Sequence, residues 1–162
     1  LVGDLITKND KNKTIGFVNI AKPGSSIKQW QPGSMYNKEL TKSFQQVYQN
    51  YTSILWHQGE SDTVSHTDEY DYFTRLSGLI FQTRRYYQKD VKWYIANVSY
   101  IDGTTSKDVT NAQSFAVRMI KNVYHGANTD SLNHTYRYDN IHFNSLGLHN
   151  HAQLWAKILT KK

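Results

Sequence analysis

The chain has 162 residues, a net charge of +6 and no cysteine. That length fits one globular domain spanning residues 1–162, and the missing thiols exclude disulfides, thiolate metal sites and a cysteine nucleophile. No run approaches the roughly 20 apolar residues that cross a membrane, and the densest basic groupings, Lys8 to Lys13, Arg84-Arg85 and Lys161-Lys162, are short and read as solvated surface, so neither a membrane nor a nucleic-acid partner is expected.

In chain order, Thr14 to Ile20 is rich in apolar and β-branched residues and ends at Pro23-Gly24-Ser25-Ser26, which predicts a strand entering a turn. From Asn37 to about Tyr51, the positions Leu40, Phe44, Val47 and Tyr48 recur at helical spacing. Thr52 to His57 is a short continuous apolar run before Gly59, as in a strand buried on both faces of a parallel sheet. A helix is predicted from Asp68 to Tyr87, with Phe73, Leu76, Ile80 and Phe81 on one side, then a strand over Val91 to Val98. Val109 to Tyr124 reads as a helix through Ala112, Phe115, Ala116, Met119, Ile120 and Val123, and Ser145 to Leu159 as the last, with Ser145 as its N-cap. Strands alternating with helices predict a three-layer α/β/α sandwich with a mainly parallel sheet, and in such folds the chemistry gathers at the carboxyl ends of the strands.

Three polar clusters fall there: Pro23 to Trp30, Trp56-His57-Gln58-Gly59-Glu60-Ser61-Asp62, and Asp139-Asn140-Ile141-His142-Phe143-Asn144. In the third, an acid and a base share one loop, so a single turn of backbone can aim the carboxylate at one imidazole nitrogen and leave the other for a substrate. Alone, the same spacing is also that of a helix-entry loop whose Asp caps backbone amides. Seven histidines raise the question of a metal, but no His-x-x-x-His pair occurs and His149-Asn150-His151 puts its two rings on different helix faces. No metal and no cofactor are expected.

Together the clusters resemble the second, third and fifth sequence blocks of the sialate O-acetylesterase and acetylxylan esterase families of the SGNH hydrolases, over about residues 1 to 160. The resemblance implies the flavodoxin-like SGNH fold and a serine-type esterase that removes O-acetyl groups from a carbohydrate, of sialic acid or xylan type. It implies His142 as general base, Asp139 or Glu60 as its acid partner, and Gly24 and Gln58 as oxyanion donors. Trp30 and His57 are candidates for contact with the sugar, Trp56 for the core. An extracellular or cell-surface setting goes with such a substrate.

The block that carries the family's nucleophile, Gly-Gln-Ser or Gly-Asp-Ser after the first strand, is absent; Gly3-Asp4 is followed by Leu5. By the same resemblance that first strand lies at the centre of the sheet, and without it two strands are left with open edges. A companion chain or segment upstream of residue 1, carrying the Gly-x-Ser block, is therefore expected. Ser25 and Ser26 lie at a turn, but no Gly-x-Ser-x-Gly elbow surrounds them. The competing reading is a glycan-binding module that keeps the esterase architecture without its nucleophile.

Overall fold

The computed structural model describes residues 1–8, 12, 14–47 and 51–161. Tyr48 of the expected helix, and Lys11, Lys13 and Lys162 of the basic groupings, lie outside the described residues. The elements are helices α1 (Val2–Thr7), α2 (Met35–Gln46), α3 (Glu60–Val64), α4 (Glu69–Tyr87), α5 (Lys107–Met119) and α6 (Ser145–Leu159). Strands are β1 (Ser53–Trp56), β2 (Lys92–Asn97) and β3 (Val123–Asn128), with short 3-10 turns at Ile27–Trp30 and His134–Tyr136.

The sheet has the order β1-β2-β3 and is parallel throughout, with Ile54 opposite Trp93 and Trp93 opposite Val123. Alternate residues along β2 point to opposite faces. Trp93 and Ile95 join Ile27, Trp30, Trp56, Tyr72, Leu76 and Val109 in the larger core, under α2, α4 and α5. Ala96 and Val98 join Ala127 and Trp155 in a smaller core on the other face, under α1 and α6. This is the three-layer α/β/α architecture.

Helix starts follow from side-chain caps. Asp68 accepts from the Asp71 amide (2.8 Å) at the start of α4, and Asn144 from the Gly147 amide (2.9 Å) at the start of α6. Asn144, not Ser145, is thus the cap of the last helix. Ser34 caps α2, which begins at Met35 and gives out at Val47, short of the expected Tyr51. The buried stripe of α4 runs through Tyr72, Leu76, Leu79, Ile80 and Thr83, while Phe81 is 56% exposed; a stripe centred one position earlier puts Phe81 on the solvent side.

Two differences concern strands. The run Val109 to Tyr124 is not one helix: α5 stops at Met119, Ile120 turns to extended backbone, Asn122 takes a left-handed φ of 58°, and Val123 opens β3. Only Val123 and Ala127 of that strand are buried, which is why its signal merges with the helical spacing before it. Conversely, Thr14 to Ile20 forms no strand. Phe17 and Val18 are each 54% exposed, and among the described residues no strand pairs with this run or with the outer edge of β1. β-propensity describes a residue that fits a paired, half-covered surface, and that surface is missing here.

Candidate active site

The polar clusters meet at the carboxyl ends of the three parallel strands, as expected for an α/β sheet. The segment after β1 is the most enclosed. Gln58 is buried, and its Nε2 donates to the Ser25 carbonyl (3.0 Å) and to Asp62 Oδ2 (2.6 Å) while its Oε1 accepts from the Tyr72 hydroxyl (3.1 Å). Asp62, 1% exposed, also accepts from the Ile27 amide (2.8 Å) and the Thr67 hydroxyl (2.8 Å). One carboxylate therefore ties together the Pro23 to Trp30 loop, the Gln58 side chain and the end of α3. Gly59 is required by close approach: a Cβ there would lie 2.0 Å from the Val98 carbonyl oxygen. Gln113, reaching in from α5, donates to the carbonyls of Val98 (2.8 Å) and Gln58 (3.2 Å) and accepts from the Val98 amide (3.0 Å).

Around Gly24, which adopts a φ of 66°, the chain turns so that Ser25 O faces Gln58. Ser25 is buried; its hydroxyl donates to Lys22 O (2.8 Å) and accepts from Trp30 Nε1 (3.0 Å). This hydroxyl is a structural brace and bonds to no histidine. Trp30 is 4% exposed and packs against Tyr36 and edge-on against Trp56. Its ring belongs to the core and offers no face to a sugar, contrary to its place among the sugar-contact candidates. Gln58 also departs from expectation: both of its N–H groups already point at protein acceptors, so donating to an oxyanion requires releasing Ser25 O.

The other half of the site is the loop before α6. Asp139 Oδ2 lies 2.6 Å from His142 Nδ1, and its Oδ1 accepts from the amides of His142 (2.6 Å) and Ile141 (2.9 Å). Because a carboxylate can only accept, Nδ1 carries the proton and Nε2 is left as the basic nitrogen. The hydrogen bond from the His142 side chain, then that from its amide, hold Asp139 at a pKa of about 2, so it is ionised at any ordinary pH. The turn depends on Asn140, whose φ of 62° lets the backbone double back, and the Asn140 carbonyl accepts from the Asp102 amide (3.2 Å). The His142 side chain is 63% exposed and stacks on Tyr138, with centroids 5.7 Å apart and planes 16° apart.

Sequence left the acid partner of His142 open between Asp139 and Glu60; in the structure Asp139 bonds the imidazole and Glu60 does not. Glu60 accepts from the Gly59 amide (3.0 Å), and its other oxygen is 3.8 Å from His57 Nδ1. His57 in turn is 3.0 Å from the Thr129 hydroxyl and meets the His151 ring edge-on at 5.3 Å. Burial pushes the pKa of His57 down, against the pull of Glu60. Burial, then the charges of His57 and Arg137, push His151 to about 4, and its Nε2 accepts from Trp155 Nε1 (3.2 Å). His149, two residues earlier, points away and bonds Gln153.

Motif reading missed three organising residues. Besides Gln113, Asp130 receives the amides of Ser99 (2.7 Å) and Tyr100 (2.8 Å) and the Ser99 hydroxyl (2.6 Å), fixing the end of β2. Arg137 is buried between the Tyr100 and Phe143 rings. Each stands alone in sequence, and its partners are remote or backbone atoms, so no spacing announces it.

A protein of Arabidopsis thaliana known from its crystal structure superposes with a TM-score of 0.78 at 20% identity, over 97% of this chain and 65% of the other. That likeness shows the fold, and this chain spans a little under two thirds of the plant protein. No curated protein matches in sequence. The family described as "Carbohydrate esterase, sialic acid-specific acetylesterase" matches residues 3–161, nearly the whole chain. This chain, with an Asp–His pair at the carboxyl end of a parallel sheet, is a member of that carbohydrate esterase family.

Proposed function

We propose that this domain supplies the acid–base half of a serine esterase that removes O-acetyl groups from a carbohydrate, the serine coming from a Gly-x-Ser segment upstream of residue 1. The observation that carries the reading is the 2.6 Å contact between Asp139 Oδ2 and His142 Nδ1 on an exposed imidazole. With Nδ1 held, Nε2 takes the serine proton as the serine oxygen attacks the ester carbonyl. It then returns that proton to the departing sugar hydroxyl, leaving an acetyl-enzyme. Water, activated by the same nitrogen, releases acetate and regenerates the serine. The imidazolium formed in both halves is stabilised by the ionised Asp139.

The oxyanion donors in this reading are the Gly24 backbone amide and, if the Ser25 contact opens, Gln58. Each such donor lowers the barrier by about 2.7–4 kcal/mol. In this reading the upstream segment lies along the outer edge of β1, which has no strand beside it among the described residues. A parallel strand laid there would bring its carboxyl end to the same rim as His142. An O-acetylated sialic acid is favoured as substrate by the net charge of +6 and the family's range, with acetylxylan second, and an extracellular or cell-surface location suits either.

The test is to treat the native protein with a serine-reactive fluorophosphonate and locate the label by mass spectrometry. A labelled serine upstream of residue 1, with acetyl release abolished by His142→Ala, is the expected result. Folded, unlabelled protein that still binds acetylated glycan would replace the esterase reading with that of a binding module.

A further inference from the structure

Among the described residues only Asp62 and Arg137 are charged and buried. Asp62 has three donors around it. Among the described residues Arg137, 8% exposed, forms no direct ion pair, and burial lowers its pKa against the more distant pull of Glu60, Asp130 and Asp139. Its guanidinium is instead sandwiched 4.4 Å from the centres of the Tyr100 and Phe143 rings. It donates from Nε to the Leu132 carbonyl (3.1 Å) and from Nη1 to the Ile141 carbonyl. Its backbone also bridges to Phe143. A buried cation with no anion in contact is costly even where carboxylates act on it from a distance, and an apolar side chain of similar length would fill such a sandwich more cheaply. The charge therefore calls for a role that packing does not supply.

The Ile141 carbonyl provides one. It belongs to the same peptide group as the His142 amide, which donates to Asp139 Oδ1 at 2.6 Å. A cationic donor on the carbonyl polarises that peptide and strengthens its N–H as a donor, because linked hydrogen bonds reinforce one another. Leu132 O, the second acceptor, lies on the other side of the 3-10 turn His134–Tyr136, so the guanidinium spans the base of the loop that carries Asp139 and His142. Tyr100 comes from the segment after β2, where Asp130 fixes it. The exposed Asp139–His142 pair is thereby tied to the rigid sheet through a buried group.

We infer that Arg137 is a positioning residue for His142: by holding the Ile141–His142 peptide it sets Asp139, and through Asp139 the imidazole. The structural part stands alone; its catalytic consequence rests on the esterase reading.

The test compares Arg137→Lys and Arg137→Met in the native full-length protein. Lysine keeps the charge but not the planar fork that reaches two carbonyls and stacks flat between rings; methionine keeps length and apolar bulk. One readout needs no activity: the proton NMR resonance of His142 Nδ1–H, held far downfield by the short bond to Asp139 and assigned by its loss in His142→Ala. It is expected to broaden or vanish in both variants while the amides of β2 keep their wild-type hydrogen exchange. In an active protein kcat falls roughly 10- to 100-fold with lysine unable to restore it, and KM stays within about twofold. A wild-type resonance in both variants overturns the inference, whether or not the protein hydrolyses an ester. Absence of hydrolysis in the wild type counts against the esterase reading alone. Should Arg137→Met not fold, Tyr100→Leu opens one wall of the sandwich and leaves the hydrogen bonds. Partial loss of the resonance then supports the inference, and an unchanged resonance overturns it.

Discussion

The two halves of the site are built by opposite means. The Gln58 half is interior: Gln58, Asp62 and Gln113 are each 6% exposed or less, and their bonds join four segments of chain. The His142 half is a surface turn whose functional atoms are open to solvent, organised within five residues by Asp139 and anchored beneath by Arg137. The difference teaches where function and stability part company. In the interior half the same atoms hold the core together and shape the site, so changing them alters both. In the surface half the reactive groups can be removed with little cost to the fold.

The sharpest way to break this comparison is His142→Ala. On the esterase reading, hydrolysis by the native full-length protein should fall by roughly 10⁴-fold or more, as when other members of such a unit are removed. Urea unfolding should change by no more than about 0.5 kcal/mol, as for most surface substitutions. A large loss of stability would show that the loop is a structural keystone. Asp62→Ala is the counterpart in the interior half. It leaves the Ile27 amide, the Gln58 amide nitrogen and the Thr67 hydroxyl without their acceptor, at about 1–3 kcal/mol for each group left unsatisfied, so a total near 4 kcal/mol is expected. Equal stability of Asp62→Ala and wild type in urea would contradict the picture of a buried clamp.

The contrast also governs what could be read beforehand. Blocks after β1 and before α6 were legible because polar residues cluster at strand ends, where regular alternation stops. β1, β2, α4 and α6 were legible because each has its own apolar period. The strand assigned to Thr14 to Ile20 failed because pairing is a property of neighbours, and the hydrogen-bonded edge it needs is not among the described residues. β3 was hidden in the tail of a helical pattern, its two buried residues being Val123 and Ala127. Trp30 sat beside the proposed site in sequence, yet its indole reaches inward to Ser25. Asp62 was visible as part of a motif, but nothing in its position told that its carboxylate turns back 35 residues to Ile27. Arg137 had no motif at all.

A pH titration sharpens the boundary between the halves at His151, which packs between His57 and Phe143. Its ordinary pKa of 6.5 is pushed to about 4 in the folded protein. Below pH 6.5 the unfolded chain binds a proton there that the folded chain refuses, so stability falls progressively as pH drops from about 6.5 to 4, by an amount of order 1–3 kcal/mol. His151→Gln should flatten that part of the stability profile. An unchanged slope would place the acid sensitivity elsewhere. Asp139 acts mainly below this window: its contribution is lost as pH falls from about 3.8, where the unfolded carboxyl takes up a proton, to about 2, where the folded one does.

The smallest expected effect tests how the surface half holds its shape. Asn140 has a φ of 62°, in the left-handed region that glycine enters freely, asparagine tolerates and β-branched residues resist. Asn140→Gly should therefore stay within about 0.5 kcal/mol of wild type by thermal unfolding. Asn140→Val should lose about 1–2 kcal/mol, the strain of a left-handed residue with a crowded Cβ. If the loop is set by this one backbone turn, the valine variant should lose activity well beyond its modest loss of stability, because the Asp139 acceptors no longer meet the two amides and the imidazole together. If instead Arg137 and the Asp102 amide suffice to hold the turn, activity and stability will fall in proportion, and the anchor beneath the loop outweighs the turn within it.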